Sequence, residues 1–196
     1  MNELPGCDEL FERFFAPWYS EADRLRRRMK ATYPDLITDP ELVGLSQSAA
    51  GALAEQHHPK ILEIIDGVTN AACRDWPGYL PVYGELDLSW IDEFDRHYGR
   101  DEISKVIARS DATDFGNEYL VLCCEFGAAI AGLFRKARPT LRWSLDWPYW
   151  DSTLFDPVTG KEITVFHWGI KKMSEYGVDD GFAAKLKACL KILDQH

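Results

Sequence analysis

Apolar positions in this chain recur first at helical spacing, then fill one long run almost solidly, then alternate, and then return to helical spacing. The first regime covers the N-terminal half. Asp8 to Ala16 and Ser20 to Thr32 read as helices, with Pro17 breaking or kinking the chain between them. Asp39-Pro40-Glu41 is a helix start, with aspartate as cap and proline at the first helical position, and that helix runs to about Gln56. Pro59 opens another, whose face carries Ile61, Leu62, Ile64, Ile65 and Val68 and which ends near Trp76-Pro77-Gly78. Tyr79 to Leu88 bears proline and glycine and reads as loop. It is the best candidate for an internal boundary in what otherwise reads as one domain over 1–196. Ser89 caps a short helix, Trp90 to Tyr98, closed by Gly99, and Asp101 to Arg109 forms another.

The second regime is the run Tyr119 to Phe134, 16 residues with Glu125 as the only charge. It predicts a central helix from about Thr113 to Arg138, capped by Asp114 and stopped by Pro139. Being apolar nearly all round, it should be surrounded by other elements. Gly127, Ala128, Ala131 and Gly132 make a small-residue face, and glycine in a helix costs about 1 kcal/mol relative to alanine, so another backbone should approach there.

Alternation follows. Leu141, Trp143 and Leu145 alternate with polar neighbours. Trp150, Ser152 and Leu154 do the same after a Trp147-Pro148 corner, and Ile163 to Phe166 makes a third strand. Asp156-Pro157-Val158-Thr159-Gly160 is a hairpin turn. Helical spacing resumes at His167 to Tyr176, with Gly177 as the residue past its end. Asp179 or Asp180 then caps a last helix whose stripe is Phe182, Leu186, Leu190 and Leu193. The fold class is therefore α+β: mostly helical, with a central buried helix and a C-terminal three-stranded antiparallel meander followed by helices.

Charge changes the picture. The chain carries a net −10. Residues 1–98 hold 9 Lys and Arg against 18 Asp and Glu, a net of −9; residues 99–196 hold 13 against 14. This argues against nucleic acid and anionic membrane surfaces as partners, both of which need basic patches. The acids are densest from Glu85 to Glu102. They are either a solvated face or a patch, centred on Asp92, Glu93 and Asp95, that steers a basic partner. The five cysteines are odd in number and form no C-x-x-C, so they read as reduced and the protein as cytoplasmic. The N-terminus has no signal-peptide pattern, and the apolar run is shorter than the about 20 residues of a bilayer span.

Candidate chemistry is sparse. Glu125 in its apolar run needs an arginine, a tryptophan N–H or a ligand, because an unpaired buried carboxylate costs several kcal/mol. It is either structural or, with Trp143 and Trp150 as walls, the carboxylate of an aromatic-lined pocket. Trp147, Trp150 and Asp151 at the sheet corner are either core or a recognition surface. His167, Trp168, Lys171, Lys172 and Glu175 fall on one short helix, with His167, Lys171 and Glu175 along one face. That face is either solvated or a partner-binding rim. His57-His58 diverge on a helix and make a poor metal pair, no metal or cofactor motif occurs, and no catalytic residue is assigned.

The stretch EFGAAIAG, a Trp-bearing strand, WPYWDS, DPVTG, FHWGIKKMSEYG and DDGFAAKL, over about residues 118–190, resembles uncharacterised single-domain bacterial proteins. Some of these are associated with immunity to contact-dependent or secreted toxins. The resemblance implies a small acidic inhibitor and names no catalytic residue. The expected function is thus a cytosolic binding protein that occludes the active site of a basic toxin or enzyme, through Asp92, Glu93, Asp95, Trp147, Trp150, Asp151, Trp168 and Lys171. The alternative is an enzyme or small-ligand binder built around Glu125 and Trp143. A homodimer through the aromatic meander is a third possibility.

Overall fold

A computed structural model describes residues 3–21, 23–24, 60–74 and 89–194. Helix α1 is Cys7–Phe14, followed by a 3-10 turn at Ala16–Trp18 that contains Pro17. Helix α2 covers 60–74. Then come α3 (Ser89–His97), α4 (Arg100–Arg109) and α5 (Glu118–Ala137). Strands β1 (Arg142–Ser144), β2 (Thr153–Phe155) and β3 (Glu162–Ile163) precede α6 (Val165–Lys172) and α7 (Phe182–Asp194). The fold is α+β. The helix expected over Asp39 to Gln56, most of the one from Ser20 to Thr32, the Trp76-Pro77-Gly78 end, the Tyr79 to Leu88 loop and His57-His58 lie outside the described residues.

Ser20 opens its helix with a reciprocal cap. Its hydroxyl accepts from the Asp23 amide at 3.1 Å, and its own amide donates to Asp23 Oδ2 at 3.2 Å. The central helix starts about five residues later than the pattern suggests. Asp114 spends its carboxylate on the Gly116 amide at 2.8 Å, making a tight turn, and Asn117 caps instead, accepting from the Leu120 amide at 3.0 Å. Every position from Leu122 to Ala131 is buried, as an all-round apolar helix requires. Each large side chain sealed there, such as Phe126 or Ile130, contributes about 1.5–3 kcal/mol relative to exposure.

Helix α6 lies closest against α5, and two glycines let it. A Cβ on Gly127 would stand 2.8 Å from Phe166 Cα and 3.0 Å from the Val165 carbonyl oxygen. A Cβ on Gly169 would fall on the Cys123 carbonyl oxygen. Positions 123 and 127 on one helix thus mesh with 165 and 169 on the other. Gly132 does not share this role: it is exposed, with nothing within 4 Å of its would-be Cβ. Five positions beyond Gly127, it points about 140° away around the helix.

The sheet has the order β1-β2-β3, antiparallel throughout, with Trp143 opposite Leu154 and Leu154 opposite Ile163. It is shorter than the alternation implied. Tyr149–Asp151 is a 3-10 turn rather than strand, and residues from Val165 are helical rather than extended. The corner is closed by Ser152, whose Oγ accepts from the Asp146 amide at 3.0 Å, and the Trp147-Pro148 bond within it is cis. The second corner runs as expected: Gly160 takes φ 68°, and Asp156 accepts from the Val158 amide and the Thr159 hydroxyl. Arg138 pairs with Asp156 at 3.2 Å, tying the end of α5 to the hairpin.

Helix α6 ends at Lys172, short of the expected Tyr176. Gly177 has no positive φ and so is not the helix's left-handed terminator; it is glycine because a Cβ would strike the Lys171 carbonyl as the chain folds back. Gly181, at φ 49°, is the left-handed residue, just before α7. Neither aspartate expected to cap α7 is free to do so alone: Asp179 pairs with Arg100, and Asp180 with Lys185.

Candidate functional site

The turn 173–181 folds back over the end of α6 and returns the chain as α7, leaving a cleft of about 420 Å³ between them. Its floor is aromatic. Trp168 of α6 meets Phe134 edge-on at 5.5 Å and Phe182 of α7 at 5.9 Å between ring centroids. Ala188 and Cys189 of α7 continue this wall, and Tyr176, 71% exposed, stands at the lip. Three lysines and one aspartate border it: Lys171, Lys172, Lys185 and Asp180.

The lysines differ in what they touch. Lys172 is 1% exposed, donates to the Val178 carbonyl at 3.1 Å and sets its charge 2.8 Å from Asp95 Oδ1. The Asp95 contact is close but poorly aligned as a hydrogen bond, so its weight is electrostatic. Lys185 pairs with Asp180 and lies 5.9 Å from the Tyr176 ring centroid. Lys171 is exposed and has no carboxylate partner among the described residues. Glu175, expected on the same helical face, lies beyond the helix end, where Arg100 and the Leu4 amide hold it. These bonds pull the Glu175 carboxyl below its ordinary range.

The residues expected at a partner surface do not come together. Asp92 and Glu93 are exposed on α3, but Asp95, one turn along, is turned inward onto Lys172. It is a structural counter-ion because a buried ammonium needs one. Trp150, 4% exposed, belongs to the core: its Nε1 donates to the Tyr19 hydroxyl at 2.9 Å, and that hydroxyl donates to Asp151 Oδ1 at 2.7 Å. Phe15 meets it edge-on at 5.5 Å, and exposed Phe115 covers it at 5.8 Å. Trp147 is half-buried. The tryptophan corner touches the start of α6, where Tyr149 meets Phe166, and α3 touches its end at Lys172. Trp168 and Lys171 border the cleft.

Glu125 is 5% exposed and has a partner, so it is no orphan. It neighbours Cys124 and Tyr149, whose groups its charge helps to raise. Trp143 stacks on Phe166 at 5.9 Å and 16°. Neither residue lines the cleft. Sequence reasoning missed Tyr176, Asp180, Phe182 and Lys185 as parts of one site. The available signal was the apolar stripe of α7 flanked by Lys185, next to a Trp- and Lys-bearing helix.

Burial pushes the Cys124 thiol up to about 12, against a hydrogen bond to Tyr149 that acts the other way. Burial also raises Cys123, Cys7, Cys73 and Cys189. All five are free thiols. Among the described residues no helix is long and apolar enough to cross a membrane, and no three His, Cys, Asp or Glu side chains gather as a metal site. No protein family, no curated protein and no solved structure matches the chain. The described residues therefore define an α+β protein with a lysine-rimmed aromatic recess.

Proposed function

We propose that this chain is a binding protein whose acidic N-terminal half meets a basic protein partner, as an inhibitor covering the active site of an enzyme or toxin. The observation that carries this reading is the charge imbalance, −9 in residues 1–98, together with Asp92 and Glu93 displayed on the exposed side of α3. Such a surface speeds encounter with a cationic partner and weakens with salt. The five free thiols fit a reducing, cytoplasmic setting.

The test is a tagged pull-down, run in parallel with wild type and Asp92→Lys/Glu93→Lys, with the recovered protein then titrated at two salt concentrations. Asp95 is left untouched because its change would disturb Lys172. The reading expects a basic partner near equal stoichiometry, with the charge-reversed variant binding more weakly and with a flatter salt dependence. Equal affinity for both proteins at both salts would remove the acidic face from the account.

A further inference from the structure

We propose that the α6–α7 cleft is a binding site for a small aromatic carboxylate, an inference independent of the protein-partner reading. The cleft's volume falls in the range of about 300–1,000 Å³ that small-molecule sites occupy. Its floor is the edge-to-face pair of Trp168 and Phe182, a surface on which a flat ring buries area with favourable quadrupole geometry.

The charge at the lip follows from where four carboxylates around the cleft are already spent. Glu175 and Asp179 both go to Arg100, Asp180 goes to Lys185, and Asp95 goes to Lys172. Among the described residues Lys171 is left as the exposed cation bordering the cleft without a carboxylate partner. An anion bound beside it completes the pattern that the neighbouring lysines already show. A cation would meet Lys171 without a counter-charge, because Asp180 is already engaged by Lys185. A carboxylate one or two bonds from a fused ring places its charge at the lip and its ring on Trp168.

The site is also held in shape before any ligand arrives. Lys172 fixes the returning turn at the Val178 carbonyl, and Gly177 sits on the Lys171 carbonyl. A recess built on such contacts loses little entropy on binding.

Three probes of one shape and different charge test it: 2-naphthoate, 2-naphthylmethanol and 2-naphthylmethylammonium, each titrated into the full ¹⁵N-labelled chain by NMR. Naphthoate is expected to bind tightest and the ammonium weakest, with shifts concentrated in the amides of 168–189. Lys171→Met, at an exposed position and keeping the apolar stem, should weaken naphthoate by about three- to fivefold and leave naphthylmethanol unchanged. Ala188→Phe, also exposed, fills the floor and should remove binding of both. The proposal is overturned by equal affinity for acid and alcohol, by Lys171→Met leaving naphthoate unaffected, by shifts centred elsewhere, or by no saturable shift at millimolar naphthoate.

Discussion

Lys172 Nζ stands 2.8 Å from Asp95 Oδ1, joining the last turn of α6 to α3. The lysine is fully buried, while Asp95 keeps 23% of its side-chain surface exposed. Removing only the acid strands a buried ammonium with the Val178 carbonyl as its one hydrogen-bond acceptor among the described residues. Breaking a fully buried pair costs about 3–5 kcal/mol, and partial exposure of Asp95 brings Asp95→Asn to about 2–3 kcal/mol. The double variant Asp95→Asn/Lys172→Met should recover most of that loss. Urea unfolding of the four proteins gives the coupling, and simple additivity would show that the two charges do not interact.

Gly169 and Gly132 are both helical glycines with opposite prospects. At Gly169 a methyl group meets the Cys123 carbonyl, a backbone atom that cannot step aside, so Gly169→Ala must separate α5 from α6 and should destabilise by more than about 3 kcal/mol. At Gly132 the added carbon meets open space, and alanine restores helix propensity, so Gly132→Ala should stabilise by about 0.5–1 kcal/mol. Thermal unfolding of the two variants should move in opposite directions.

This pair also shows what the sequence could and could not convey. The small residues of α5 announced that a backbone passes close by, and Gly127 does receive one. Composition alone could not say which of two glycines faced it, because the face that is covered depends on where α6 docks. The same limit explains the tryptophans. Alternation placed Trp143 and Leu154 each among the apolar positions of its strand, and the register sets them opposite one another. In the sequence Trp150 reads as either core or surface because its partners, Phe15 and Tyr19, are about 130 positions earlier in the chain. The lysine-rimmed cleft escaped for a related reason: its walls are separated by a turn whose reversal hangs on Lys172 and Gly177, contacts with no signature in periodicity.

Trp150 Nε1 donates to the Tyr19 hydroxyl at 2.9 Å. Tyr19→Phe removes the hydroxyl and leaves a buried indole N–H unsatisfied, as well as taking a donor from Asp151. The expected loss is about 1–3 kcal/mol, with Trp150 fluorescence shifted as the turn after α1 loosens from the sheet corner. Unchanged stability would mean that water replaces the hydroxyl there.

The thiols should divide by position. Cys123 and Cys124 are buried within α5, and with Cys124 pushed up to about 12 neither presents thiolate near neutrality. Cys7, Cys73 and Cys189 are half-buried. Labelling of the native protein with a disulfide reagent should therefore modify at most these three, and all five after unfolding in denaturant. Rapid labelling of Cys123 or Cys124 in the native state would show that α5 opens locally.

Glu175 clips the N-terminal segment to the end of α6. Its carboxylate accepts from the Leu4 amide at 2.8 Å and pairs with Arg100, while its own amide donates to the Pro5 carbonyl at 3.1 Å. The hydrogen bond from Arg100, then that from Leu4, hold the folded carboxyl below its ordinary 4.5. A depressed folded value means that the contribution is complete above 4.5 and is lost as pH falls through the lower folded value. The stability gap between wild type and Glu175→Gln should thus be constant near neutrality and narrow from about pH 4 downward. Denaturant midpoints measured across that range decide it. A gap that stays the same in acid would assign the clip to the backbone bond with Pro5 and to side-chain shape, with no part for the carboxylate charge.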